Sequence, residues 1–164
     1  MARSWWSARI NRTWGYVHGH VDEGERAELS GWLTLPQLSL FDGMPMADRR
    51  HGLDVVAHLR AVGVTDSDLL IAGLLHDCGK GPKVRLVHRV VWSLGQRYGQ
   101  WIWRESGRLP TFATGFARLR DHALLSADMA AGAGCTPRTI DLIRNQETPT
   151  DDAGRLLRDA DEAN

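Results

Sequence analysis

Seven consecutive apolar residues, Leu69-Leu70-Ile71-Ala72-Gly73-Leu74-Leu75, run directly into His76-Asp77-Cys78-Gly79-Lys80. A segment with no polar face has to be buried on all sides, so the fold must be built around it. The polar residues that follow stand where the segment leaves the core. Gly79 is suited to a left-handed helix stop, so the spacing predicts His76 and Asp77 in the last turn of a helix. Carbonyls at that end carry partial negative charge and favour a cation. Helical neighbours point about 100° apart, which lets a His and an Asp approach one ion from two directions. A buried Asp with nothing to neutralise it is costly. A bound metal ion answers that cost; a helix-end ion pair is the plainer alternative.

The rest of the chain is punctuated like helices, and the alternation typical of strands is scarce. We therefore expect an all-α protein of six or seven helices. Residues 22–41 read as a helix start followed by a partly apolar stretch broken at Pro36. Asp48 is expected to cap a helix reaching about Arg60, with Val55, Leu59 and Val62 inward. Thr65 or Asp66 caps the next, which ends at Gly79. One amphipathic helix is expected over 84–104, weakened by roughly 1 kcal/mol at each of Gly95 and Gly99. Residues 106–118 read as a loop. A helix from about Asp121 stops in Ala131-Gly132-Ala133-Gly134. Thr136-Pro137 then supplies an N-cap with proline in the first turn of a helix through Arg144. The final helix opens near Thr150. On it Leu157, Ala160 and Asp161 share one face, while Asp152, Arg155 and Asp159 share the other. Asp161 is thus the inward carboxylate.

At 164 residues the chain suffices for one domain with a proper core. Its 20 basic and 20 acidic residues give no global field that would recruit nucleic acid or an anionic membrane. Only Lys80 and Lys83 are lysines, so the basic residues are otherwise arginines. Cys78 and Cys135 lack the spacing of a disulfide framework or a zinc knuckle. The residues from Met1 to Trp6 lack a signal-peptide apolar region, and no stretch approaches a membrane span. A soluble protein of the reducing cytoplasm is expected.

His51, His76-Asp77 and Asp161, in that order on separate expected helices, resemble the H…HD…D pattern of the HD-domain metal-dependent phosphohydrolase superfamily. Leu74-Leu75-His76-Asp77-Cys78-Gly79-Lys80 is similar to its LLHDxGK core. Arg50-His51-Gly52-Leu53 resembles its first histidine followed by a small residue and an apolar helix, and Leu156-Leu157-Arg158-Asp159-Ala160-Asp161 resembles its closing motif. The resemblance covers about 45–164 and implies an HD-type helical bundle there, with residues 1–44 as an N-terminal helical extension. It implies that His51, His76, Asp77 and Asp161 bind metal. Two imidazoles and two carboxylates suit a divalent transition metal (Mn, Fe, Co, Ni or Zn). The implied reaction is hydrolysis of a small phosphorylated substrate, such as a nucleotide or another phosphate ester, by metal-activated water. Asp77 would also orient the water, and Lys80 and His122 would neutralise charge developing on the phosphoryl oxygens, with general acid as the alternative role for His122. Asp121-His122-Ala123 is similar to a helix of relatives that hold two metals, but Asn145 and Gln146 stand where those relatives bring further histidines. One metal per chain is the expectation. The GYP-type signature of cyclic-dinucleotide enzymes is absent. A metal- or nucleotide-binding regulatory module that keeps the fold without turnover is the alternative, and a two-iron oxygenase needs more ligands than the chain offers.

Other residues carry weaker signals. His58 and His88 are expected on polar faces, and Cys78 as a small buried filler. Trp92, Trp101 and Trp103 are read as core, with a lid or a partner surface as alternatives. Trp5, Trp6 and Trp14 lie in an Arg-rich segment suited to domain docking, oligomer contact or a membrane surface. His18-Gly19-His20 reads as a surface loop.

Overall fold

The computed structural model describes residues 20–164, and among them every regular element is helical. Helices α1 (Glu23–Leu29) and α2 (Leu35–Asp42) each open on a capping box, formed by Asp22 with Glu25 and by Thr34 with Gln37. Pro36 sits in the first turn of α2, where a missing N–H leaves no bond unmade, so it starts a helix instead of breaking one. Helix α3 spans Met46–Ala61 and follows Pro45, with no side-chain cap. The expected cap, Asp48, is instead 1% exposed, and Arg89 Nη2 reaches both of its carboxylate oxygens at 2.7 Å. Val62, expected inward, lies past the helix and is exposed.

The apolar run forms α4 (Ser67–Leu75), capped by Asp66, with every residue from Leu69 to Leu75 buried. The helix ends at Leu75 and not at Gly79, so His76 and Asp77 lie just past its last turn. A single 3-10 turn, Cys78–Lys80, follows, and Gly81 at φ +61° redirects the chain. The segment expected as one helix divides into α5 (Leu86–Tyr98) and α6 (Trp101–Ser106) at Gly99, whose φ of +123° favours glycine. The expected loop over 106–118 is largely the start of α7 (Pro110–Gly132), a helix of 23 residues with proline in its first turn. Gly115 lies within this helix, and a Cβ there would lie 2.6 Å from the His88 ring. His88 is accordingly buried, not on a polar face. Helix α8 (Pro137–Arg144) starts as expected on Thr136, and α9 (Asp152–Ala163) starts on Asp151. Two of the expected helices are each divided, so nine are present among the described residues in place of six or seven.

Helix α4 is the axis of the main core. Phe41, Val55, Leu59, Ile143 and Leu157 close around it from α2, α3, α8 and α9. Each such side chain, fully buried, contributes roughly 2 kcal/mol. Leu29, Leu38 and Met44 belong to the same cluster, so the described part of the N-terminal extension shares its core with the rest. A second cluster gathers Val84, Phe116 and Leu119 with Trp92, Trp103 and Phe112, where α5 and α6 meet α7. Trp92 and Trp103, partly buried against this cluster, stack at 4.5 Å between ring centroids, whereas Trp101, also expected in the core, is exposed. Trp5, Trp6, Trp14 and His18 lie outside the described residues. No helix among the described residues is long and apolar enough to cross a membrane.

Candidate metal centre

Three helices deliver the expected ligands. His51 projects from α3, His76 and Asp77 follow α4, and Asp161 projects from α9. The crossing of α3 over α4 is unusually close at Gly52, where a Cβ would lie 2.5 Å from the Leu74 carbonyl oxygen. That contact brings the His51 and His76 rings to 5.2 Å between centroids. Leu157 and Ala160 are buried, so their neighbour Asp161 points inward as its helical face predicts. Its Oδ1 lies 2.8 Å from His51 Nε2 and 3.5 Å from His76 Nε2. The donor atoms of His51, His76 and Asp161 all lie within 4.8 Å of one another, a group able to hold a metal ion.

Asp77 stands at the edge of that group. Its backbone, at φ −102° and ψ 1°, adopts the sparsely populated bridge region in which many active-site residues sit. Asp77 Oδ1 lies 3.6 Å from His76 Nε2, while Oδ2 pairs with Lys80 Nζ one turn on. His122, on α7, places Nε2 3.7 Å from Asp77 Oδ1. Its Nδ1 lies 2.8 Å from the Leu119 carbonyl, an acceptor only, so Nδ1 carries the proton and Nε2 faces Asp77. The same logic applies to His76, whose Nδ1 donates to the Gly73 carbonyl at 2.9 Å and leaves Nε2 facing the ligands.

The electrostatics show why this cluster suits a cation. His76 is 1% exposed and Asp77 is 2% exposed. His76 Nε2 and Asp77 Oδ1 are both buried without a hydrogen-bond partner. Unsatisfied buried polar atoms are rare and cost roughly 1–3 kcal/mol each. Burial opposes charge on His76, but Asp77 and Asp161 outweigh it and push the imidazole up to about 9. Burial likewise opposes ionisation of Asp161, and His51 and His76 hold its carboxyl far below the usual range regardless. Asp77 is also held low against its burial, chiefly by Lys80 and His76. Burial and Lys80 push His122 down, so its imidazole is neutral at pH 7. Donors bonded to one ion at about 2.0–2.2 Å are separated by roughly 3–3.5 Å, close to the spacings seen here. The residues therefore fit a metal ion.

The supporting contacts include residues that the sequence did not single out. Gly79 N–H donates to Ser126 Oγ at 2.8 Å, and Arg118 Nη1 donates to the Gly79 carbonyl at 3.1 Å. A Cβ on Gly79 would lie 2.6 Å from both His122 O and Ser126 N, so only glycine lets this turn lie flat on α7. Gln146, 6% exposed, donates to the His76 carbonyl at 3.1 Å, and Asn145 turns back to Asp141. Cys78 is a buried filler as expected, its thiol pushed up to about 12 by burial. Gly79 was the available signal for Ser126, because a glycine beside a ligand often marks a close approach of backbone. Gln146 and Arg118 act on backbone carbonyls across the fold, and no local pattern announces them. No family model matches the chain, and neither a curated protein nor a solved structure matches it.

Proposed function

We propose that this chain is a metal-dependent phosphohydrolase of the HD type, holding one divalent transition metal and cleaving a phosphate ester or nucleotide phosphate. The observation that carries the reading is the pair of buried, unpartnered atoms, His76 Nε2 and Asp77 Oδ1, facing His51 and Asp161. His51, His76 and Asp161 would hold the ion, with Asp77 Oδ1 as the fourth ligand. A cation held there would lower the pKa of bound water and polarise a phosphoryl oxygen.

The chain's own residues account for the rest. Lys80 engages the far oxygen of Asp77, which leaves Oδ1 for the ion and removes Oδ2 as a bridge to a second one. Its ammonium also offers positive charge to a phosphate oxygen. His122 Nε2 and Asp77 Oδ1 are two acceptors 3.7 Å apart, so one water between them can donate to both. In that arrangement the neutral His122 orients the water and accepts its proton, a role for which its lowered pKa suits it better than proton donation. Asn145 and Gln146 are committed to Asp141 and to the His76 carbonyl, which favours a single ion.

The test is the metal content of protein purified without chelator, beside Asp77→Ala, followed by a phosphoester screen with the metal found. About one metal per chain, lost in the variant, with turnover of a phosphoester, is the expected result. Two metals per chain would overturn the single-ion site. Metal without turnover of any phosphoester, with tight nucleotide binding, would make the chain a regulatory module. No metal after reconstitution would overturn the reading altogether.

A further inference from the structure

Helix α5 is apolar on two faces. Its inner face sets Val91, Trp92, His88 and Gly95 against α6 and α7. Its outer face carries Val87, Val90, Leu94 and Tyr98 at helical spacing. Val87 is 49% exposed, Val90 42% and Tyr98 53%, and Trp101, just past the Gly99 turn, is 66% exposed. An ordinary surface helix would place polar residues there.

The charge around this stripe is one-sided. Residues 81–117 hold six basic residues, of which Arg89 turns to the buried Asp48, and one acidic residue, Glu105, in a chain with 20 of each overall. Lys83, Arg85 and Arg97 are exposed, and the side chains of Arg104 and Arg108, which share Glu105, are 81% and 69% exposed. The Arg97 guanidinium lies over the Tyr98 ring at 5.7 Å. The balanced total charge hides this concentration.

We propose that the outer face of α5, together with Trp101, docks on a bilayer surface rich in anionic phospholipid. Aliphatic residues beside Tyr and Trp, edged by long cationic side chains, make the combination that inserts shallowly between lipid headgroups. The arginines reach the phosphates while their stems stay in the apolar layer. A second copy seated face to face would oppose arginine to arginine. Nucleic acid gains little from exposed valines. The proposal does not depend on the metal site.

The test is flotation of the full chain with vesicles, in the presence of chelator and at near-physiological salt. Vesicles of equal parts phosphatidylcholine and phosphatidylglycerol are compared with pure phosphatidylcholine. Binding to the anionic vesicles alone is expected. It should weaken about fivefold for each of Arg97→Gln and Arg104→Gln, the contribution typical of one basic residue at such a surface. Val90→Glu and Trp101→Glu should each weaken it about tenfold or more, as an acidic group cannot enter the apolar layer. The arginine variants leave the apolar face intact, so a folding defect in one class does not void the other. Absence of binding to anionic vesicles would overturn the proposal. So would equal binding to neutral vesicles, or binding that no variant weakens. A dimer in solution that Val90→Glu dissociates would assign the face to a second copy instead.

Discussion

At the scale of single residues, His76 has two ways to satisfy its buried Nε2. It can keep a proton shared with the carboxylates of Asp77 and Asp161, or it can bind a cation. Its folded pKa of about 9 exceeds the ordinary value near 6.5, so the pairing stabilises the chelated protein fully below about pH 6.5. That stability is lost as the pH rises through about 9. We expect the melting temperature of chelator-treated protein to fall across this window, and the fall to flatten in Asp161→Asn; an unchanged slope in the variant would remove Asp161 from the pair. Loading a metal at pH 7 should also release about one proton, measurable by calorimetry in buffers of different ionisation heat. Much of this chemistry was legible in the sequence. The helical face alone separates Asp161 from Asp159, because each helix presents its apolar residues to one side. Asp48 was misread as a cap, since its partner Arg89 lies 41 positions away and nothing local distinguishes a capping Asp from a buried one.

At the scale of elements, the candidate ligands are positioned by two glycines at which backbones touch. In Gly52→Ala the new methyl meets the Leu74 carbonyl, and in Gly79→Ala it meets His122 O and Ser126 N. Neither obstacle is a flexible side-chain end, so the helices themselves must part. We expect each variant to lose about 1–3 kcal/mol in urea unfolding and to bind metal more weakly. Gly132→Ala is the control, because nothing lies within 4 Å of the added Cβ. It should be neutral or stabilising by up to about 1 kcal/mol. A loss at Gly132 equal to that at Gly52 would refute the close-contact account. The element least legible in the sequence was the first half of α7. Residues 106–118, which include Pro110 and Gly115, read as a loop. In the fold, the proline begins the helix and the glycine makes room for the ring of His88. Local propensity records the cost of a glycine but not the neighbour that requires it.

At the scale of the molecule, two apolar clusters of unequal size share α7. The larger encloses α4 and carries the candidate ligands; the smaller lies beneath α5 and α6. The buried Asp48 and the partly exposed Arg89 pair between them, one turn of α3 away from His51. Removing the carboxylate in Asp48→Ala leaves Arg89 without that charge. We expect a loss of about 1–3 kcal/mol in urea unfolding, and loosening first in α5 and α6 by hydrogen exchange, since the smaller cluster has fewer contacts to hold them. Uniform exchange throughout the chain would argue against two clusters of different stability. The contact between His51 and Asp161 joins residues 110 positions apart. A cation shared by them would tie most of the chain into one loop, and α9 could not leave before the tie was broken. In a cell, such a clasp would couple the lifetime of the protein to mineral supply. Starved of such an ion, the chain would open at α9 and be cleared by proteases sooner, so its abundance would follow the supply of that ion.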